Sequence, residues 1–254
     1  MKRFPMKMKR ETANITMLGS PLHERVKSLD WNQVTNDMNA SGYSLLKGIL
    51  KADECEALAA LYLQDYGFRS RVVMARHGFG RGEYKYFSYP LPDIIADLRV
   101  SLYPCLVPIA NYWNELMGIN VRYPEDHKEF IDRCHKAGQV SPTPLLLQYG
   151  KDDYNCLHQD LYGEHVFPIQ AVFLLSEPEK DFTGGEFVLT EQRPRMQSKA
   201  EVVPLRKGDA AIFAVHHRPQ MGLRGYYRVN LRHGVSRLRS GHRHAAGIIF
   251  HDAT

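Results

Sequence analysis

The sequence predicts an α+β fold in which a helical N-terminal half leans on a β-rich C-terminal half as one fused unit. Two observations carry this. Up to about residue 137, apolar residues recur at intervals of three and four. From Thr143 onward they fall into short runs broken by turn-forming groups such as Gly184-Gly185, Lys207-Gly208-Asp209 and Ser240-Gly241. Many short strands at regular spacing suit a sandwich, barrel or jelly roll. The organisation expected is a loose basic N-terminus over 1–20, a helical region over 21–142 and a β core over 143–254.

Element by element, Leu22, Val26 and Leu29 start the helical spacing. A second helix covers Trp31 to Asn39, with Asp30 as its N-cap and Ser41-Gly42 as its stop. Tyr43 to Leu50 reads as a strand and turn, and Asp53 as the cap of a helix that buries Cys55, Leu58 and Leu61. Residues 69–90 carry Gly78, Gly80 and Gly82 on alternate positions among basic and aromatic residues, which reads as a hairpin or mobile loop. Helices resume over Asp93 to Met117 and Glu125 to Ala137. Strands are expected near Leu145–Tyr149, Ile169–Leu175, Glu186–Thr190, Val202–Leu205, Ala210–Val215, Tyr227–His233 and Ala246–His251.

Composition bounds the class. The 254 residues are 44% hydrophobic and 24% charged, which excludes a disordered or collagen-like chain. No run approaches the ~18 apolar residues of a membrane helix. The basic start MKRFPMKMKR lacks the apolar stretch of a secretory signal. Cys55, Cys105, Cys134 and Cys156 form no C-x-x-C pair, so they are expected to be small buried residues in a reducing cytoplasm. Net charge is +5, but Arg206 to Arg243 holds nine Lys/Arg against one acid. Such a patch suits a phosphate or carboxylate partner.

Histidine is the other uneven feature: eight of the twelve lie from His158 onward. In His158-Gln159-Asp160, residues two apart on an extended segment face the same side and can grip one metal. Two histidines and a carboxylate leave positions open on an iron ion. The second histidine would come from far along the chain. His233 alternates with Val229 and Leu231 and so points inward; His216-His217 offers a rival, of which at most one could join the metal. Ten residues after His233, Arg243 alternates with Ala245, Gly247 and Ile249. An arginine facing an interior needs an anion, and its planar fork suits a carboxylate.

His158-x-Asp160, the distal His233 and Arg243 together resemble the Fe(II)- and 2-oxoglutarate-dependent dioxygenases. Tyr149-Gly150, Gly184-Gly185-Glu186-Phe187 and Arg206 to Phe213 are similar to prolyl-hydroxylase-type members. Gly78 to Phe87 and Tyr89-Pro90-Leu91-Pro92 resemble a mainly bacterial group predicted to act on damaged DNA by oxidative demethylation. The resemblance implies a double-stranded β-helix (jelly roll) core. It implies His158, Asp160 and His233 as catalytic iron ligands, with Arg243 and Tyr149 binding the distal carboxylate of 2-oxoglutarate. It also implies O2 as oxidant, and succinate and carbon dioxide as co-products.

The expected substrate is damaged nucleic acid, as a single strand or a flipped base. Arg76, Arg81, Tyr84, Lys85, Tyr86 and Arg237 would contact it, with Arg218, Arg224 and Arg239 adding charge. The aromatics alternatively pack a hairpin onto the core. Other readings are a prolyl-type protein or peptide hydroxylase, a non-catalytic metal-binding sensor, and a cupin-like metal protein without 2-oxoglutarate.

Overall fold

The structure is a computed structural model and describes residues 21–254, so the loose N-terminus expected over 1–20 lies outside the described residues. It contains five α-helices and fifteen strands. In chain order they run α1 (Leu22–Lys27), α2 (Trp31–Ser41), β1 (Tyr43–Leu46), α3 (Ala52–Ala60), β2 (Phe68–Val73), β3 (Gly80–Arg81), β4 (Glu83–Phe87), α4 (Asp93–Leu116) and α5 (His127–Lys136). There follow β5 (Leu145–Tyr149), β6 (Tyr154–His158), β7 (Ile169–Leu174), β8 (Phe182–Gly184), β9 (Phe187–Gln192) and β10 (Lys199–Val203). The last are β11 (Ala210–Ala214), β12 (His217–Gly222), β13 (Gly225–Val235), β14 (Leu238–Gly241) and β15 (Arg243–Ile248).

Local chemistry explains most boundaries. Asp30 accepts from the backbone N–H groups of Asn32 and Gln33, and α2 ends at Gly42 in the left-handed region. α3 begins before Asp53, because Glu54 reaches back to accept from Lys51 N at 2.7 Å. Asp53 therefore sits in the first turn instead of capping it. α4 tolerates Pro104 and Pro108 while burying Leu98, Leu102, Leu106 and Trp113. No helix among the described residues is long and apolar enough to cross a membrane.

Two mainly antiparallel sheets organise the molecule. One has the order β1-β11-β7-β15-β5-β4-β2; the other runs β10-β9-β13-β6-β3, with β12 hydrogen-bonded to β13. β8 and β14 form a separate pair. The division into a helical first half and a β second half needs correction. Region 21–142 supplies β1 to β4, and β1, β2 and β4 extend the first sheet at both ends. β2 and β4 form the hairpin expected over 69–90, and pairing of β1 with β11 and of β4 with β5 joins these strands to the sheet.

The outer face of the first sheet packs on the helices. Leu146, Phe173, Ile212 and Ala246 share a buried cluster there with Val26, Leu58, Leu102 and Trp113. The inner face meets the second sheet through Leu174, Phe187, Leu189, Phe213 and Ala245. The two faces of one sheet thus separate a helix-backed core from a site-bearing interior. Two further expectations change. Cys156 is exposed, unlike buried Cys55 and Cys134. Arg218 is buried and paired with Glu191 at 2.5 Å, which removes it from the surface charge.

Candidate metal centre and anion pocket

A cavity of about 400 Å³ lies between the two sheets. Register brings its parts together. His158 and His233 are directly paired across β6 and β13, and their rings lie 4.2 Å apart between centroids. Asp160 stands two residues on, with its carboxylate oxygens 3.5 Å from His158 Nε2 and 3.3 Å from His233 Nε2. The potential ligand atoms of all three lie within 4.8 Å of one another. Two atoms at right angles on one ion with ~2.1 Å bonds would stand about 3 Å apart. The His158 Nδ1 lies 2.7 Å from Cys156 O, which favours a proton on Nδ1 and a free lone pair on Nε2.

Electrostatics match this donor set. Burial pushes the Asp160 carboxyl up, but His233, His158 and the Tyr162 hydroxyl outweigh it and hold it well below the usual carboxylate range. Burial, reinforced by His233, pushes His158 down toward the neutral ligand form. Tyr162 Oη donates to Asp160 Oδ1 at 2.8 Å, and Tyr86 and Tyr162 hydroxyls stand 3.2 Å apart. Gln159, at the cavity edge, donates to Asn230 Oδ1 and Leu231 O, tying the end of β6 to β13. Phe213 packs on His233 at 4.7 Å.

Arg243 shares the cavity with Ala245, Gly247 and Ile249, the alternation expected of its strand. It is 1% exposed, its Nε has no hydrogen-bond partner, and no carboxylate among the described residues forms an ion pair with it. Burial lowers its pKa, opposed by Tyr149 and Glu186. Tyr149 pairs with Arg243 across β5 and β15, and the guanidinium lies 5.5 Å from its ring. Burial pushes the Tyr149 hydroxyl up to about 12. Asn155 Nδ2 donates to that hydroxyl at 3.4 Å. The Gly184-Gly185 turn closes over this end: a Cβ at Gly185 would stand 2.9 Å from Leu238 Cγ and 3.3 Å from Arg243 Cδ.

The remaining expected residues divide. Tyr84 and Tyr86 line the cavity. Lys85 does not: it points to the opposite face of β4, where its ammonium donates to Tyr62 O and Gln64 O at 2.9 Å each. The alternation of a strand requires this. Arg76 is exposed, Arg81 is exposed and 3.9 Å from Asp153, and exposed Arg237 pairs with Asp152. Neither His216 nor His217 joins the metal cluster; their rings face each other at 4.3 Å. Sequence reasoning missed Tyr162, Asn155 and Phe79. Tyr162 carried a signal, since it follows Asp160 by two on an extended segment. Asn155 and Phe79 depend on strand pairing that no local pattern announces.

Comparison with known proteins agrees with this geometry. A family model described as an oxygenase catalysing oxidative methylation of damaged DNA matches residues 82–253. A protein of Mycobacterium tuberculosis, found in strains CDC 1551 and H37Rv, is 48% identical over 167 residues, covering 66% of this chain and 72% of the relative. The fold resembles a Pseudomonas putida prolyl-4-hydroxylase, with TM-score 0.53 and 15% identity over 88% of this chain and 99% of the other. It also resembles a 2OG-Fe(II) oxygenase family oxidoreductase from Burkholderia pseudomallei, with TM-score 0.53 and 14% identity over 89% and 94% of the two chains. A Trichoplax adhaerens prolyl hydroxylase, solved with a hypoxia inducible factor peptide fragment, gives TM-score 0.51 and 16% identity over 90% of each chain. These likenesses establish a mixed fold of mostly antiparallel sheets shared with such enzymes. On the strength of the family match, the chain belongs to the oxygenases described as catalysing oxidative methylation of damaged DNA.

Proposed function

We propose that this oxygenase binds Fe(II) through His158, Asp160 and His233, binds 2-oxoglutarate through Arg243, and oxidatively demethylates an N-methylated base in nucleic acid. The observation that carries the proposal is a buried arginine without an anionic partner, in the same cavity as a two-histidine, one-carboxylate cluster. The donor set fits iron, because neutral imidazoles and one ionised carboxylate leave open positions on the ion. The arginine fits a dicarboxylate, because its planar fork can engage a carboxylate with two hydrogen bonds. When bound, iron and 2-oxoglutarate with O2 supply an oxidant able to remove hydrogen from a C–H bond. Hydroxylation of an N-methyl group leaves an unstable product that releases formaldehyde and the free base.

The chain's own residues do the positioning. Tyr162 holds Asp160 in one orientation, and Cys156 O supports the tautomer of His158 that offers Nε2. Tyr149 lies beside Arg243 and is available to share its anion. Tyr84 and Tyr86 present aromatic walls of the kind that flank an extruded base. A double-stranded β-helix core belongs to the same proposal, supported by the two facing sheets. A prolyl-type peptide substrate is the second reading, supported by fold neighbours described as prolyl hydroxylases.

The first test is anaerobic addition of Fe(II) and 2-oxoglutarate to purified protein. A visible charge-transfer band is expected, lost in His158→Ala, Asp160→Ala and His233→Ala and requiring more 2-oxoglutarate in Arg243→Ala. Its absence from folded wild type would overturn the cofactor assignment. Formaldehyde release from an N-methylated oligonucleotide then tests the substrate; hydroxylation of a proline peptide without it would favour the second reading.

A further inference from the structure

The segment from Met74 to Gly82 crosses between the two sheets beside the cavity. Gly80 and Arg81 pair with Asn155 and Tyr154 of β6, whereas from Glu83 the chain pairs with β5 in the other sheet. Glycine makes the crossing possible. Gly82 has φ 108°, and a Cβ there would stand 2.9 Å from the Tyr149 ring. Gly80 has φ 127°, and its Cβ would overlap Tyr154 O.

Phe79 sits at the crest of this strap. Its backbone is fixed on both sides: N donates to Met74 O at 3.2 Å, and O accepts from Cys156 N at 2.9 Å. The residue is 48% exposed, lines the cavity and stacks its ring on His77 at 5.3 Å and 23°. Core packing does not account for such a ring, since about half of the residue stays open to solvent. The strap itself carries only basic charge. Residues 66–82 contain Arg69, Arg71, Arg76, Arg81 and His77 and no acid. Arg69 is spent on Pro142 O and the Tyr86 ring, and Arg71 on Glu83. Arg76 and Arg81 are exposed, Arg81 with Asp153 at 3.9 Å.

We propose that Phe79, backed by His77, is a stacking platform for the base next to the one that enters the cavity, with Arg76 and Arg81 on its phosphates, and that the preferred nucleic acid is single-stranded. The inference rests on the nucleic-acid reading above and deepens it. A base can lie on an exposed ring only when it has left its own stack, which a single strand allows freely and a duplex resists. Two exposed guanidiniums suit a short stretch of backbone better than the many phosphate contacts of duplex binding.

The test is anisotropy titration of a fluorescein-labelled twelve-nucleotide DNA single strand, and of the same sequence as a duplex, at low salt. Wild type binds the single strand more tightly. Phe79→Ala weakens that binding by roughly five- to hundredfold, the usual range for losing one base–aromatic stack. Phe79→Tyr restores it to within about twofold of wild type, and Phe79→Leu, which keeps apolar bulk without the ring, does not. The Arg76→Ala/Arg81→Ala double variant lowers the slope of log affinity against log salt by about 1.4, from ~0.7 per phosphate contact on a single strand. Co(II) binding and melting temperature, unchanged in each variant, verify the fold. Wild-type affinity in both Phe79→Ala and Phe79→Leu, or a duplex bound as tightly as the single strand, would overturn the platform while leaving the nucleic-acid reading intact. No binding of either probe by wild type at low salt would sink both together.

Discussion

Arg243→Met is expected to make the protein more stable on its own and blind to 2-oxoglutarate. The guanidinium is 1% exposed with no ion-pair partner, and burial already lowers its pKa. A buried charge is stable only when paired, and replacing buried ionic groups with apolar ones of similar volume often stabilises by about 1–4 kcal/mol. Met is somewhat smaller than Arg, and the cavity beside it admits water, so the lower half of that range applies. For a chain of this size one kcal/mol moves Tm by roughly 2–4 °C. The metal-free variant should therefore melt about 2–10 °C above wild type. The order reverses on adding Mn(II) and 2-oxoglutarate. A ligand at a hundred times its Kd stabilises the folded state by about 2.7 kcal/mol. Wild type should then gain roughly 5–10 °C and the variant almost nothing. Differential scanning calorimetry with and without ligand reads both effects. If the metal-free variant melts below wild type, the guanidinium is not an uncompensated charge. If the variant keeps the full ligand-dependent gain, Arg243 is not the anion site.

Three further outcomes test other parts of the structure. Tyr162→Phe removes the 2.8 Å hydrogen bond to Asp160 and should weaken Co(II) affinity by about 10–100-fold, read by absorbance titration; equal affinity would show that Asp160 is oriented without it. Burial lowers His127 from 6.5 to about 4, so it stays neutral in the fold while the unfolded chain takes up a proton below 6.5. Its stabilising contribution is full above pH 6.5 and fades toward pH 4. In urea melts the stability gap between wild type and His127→Gln should shrink across that window, and a pH-independent gap would contradict the assignment. Asp252 is fully buried and accepts from Arg99 at 2.7 Å, His135 at 2.8 Å and Tyr89 at 2.9 Å. Asp252→Ala leaves Arg99 buried without its anion, at a cost of about 3–5 kcal/mol, and should lower Tm by on the order of 10 °C; a drop of less than about 3 °C would mean that the cluster is not coupled.

Period and spacing were enough to read several features from the chain alone. The i, i+2 relation of His158 and Asp160 follows from extended backbone, and so does the inward run Arg243, Ala245, Gly247, Ile249. The Asp30 cap and the Gly42 stop are local chemistry, complete within a few residues. The same alternation rule also disqualifies Lys85 between Tyr84 and Tyr86, so its misplacement was legible in principle. Other features exist only through long-range pairing. The strand at Tyr43 and the hairpin of β2 and β4 were legible, but their places in the sheet come from β11 and β5, and β6 brings His158 opposite His233 across 75 positions of chain. Arg218 reads as surface charge until Glu191 meets it from a different strand. Phe79 reads as a loop aromatic until Cys156 fixes its carbonyl at the cavity mouth. A residue's face is set by its own backbone period, so the chain determines it locally. Its partner, its burial and its charge environment depend on which distant strand folds against it, and only the tertiary structure decides that.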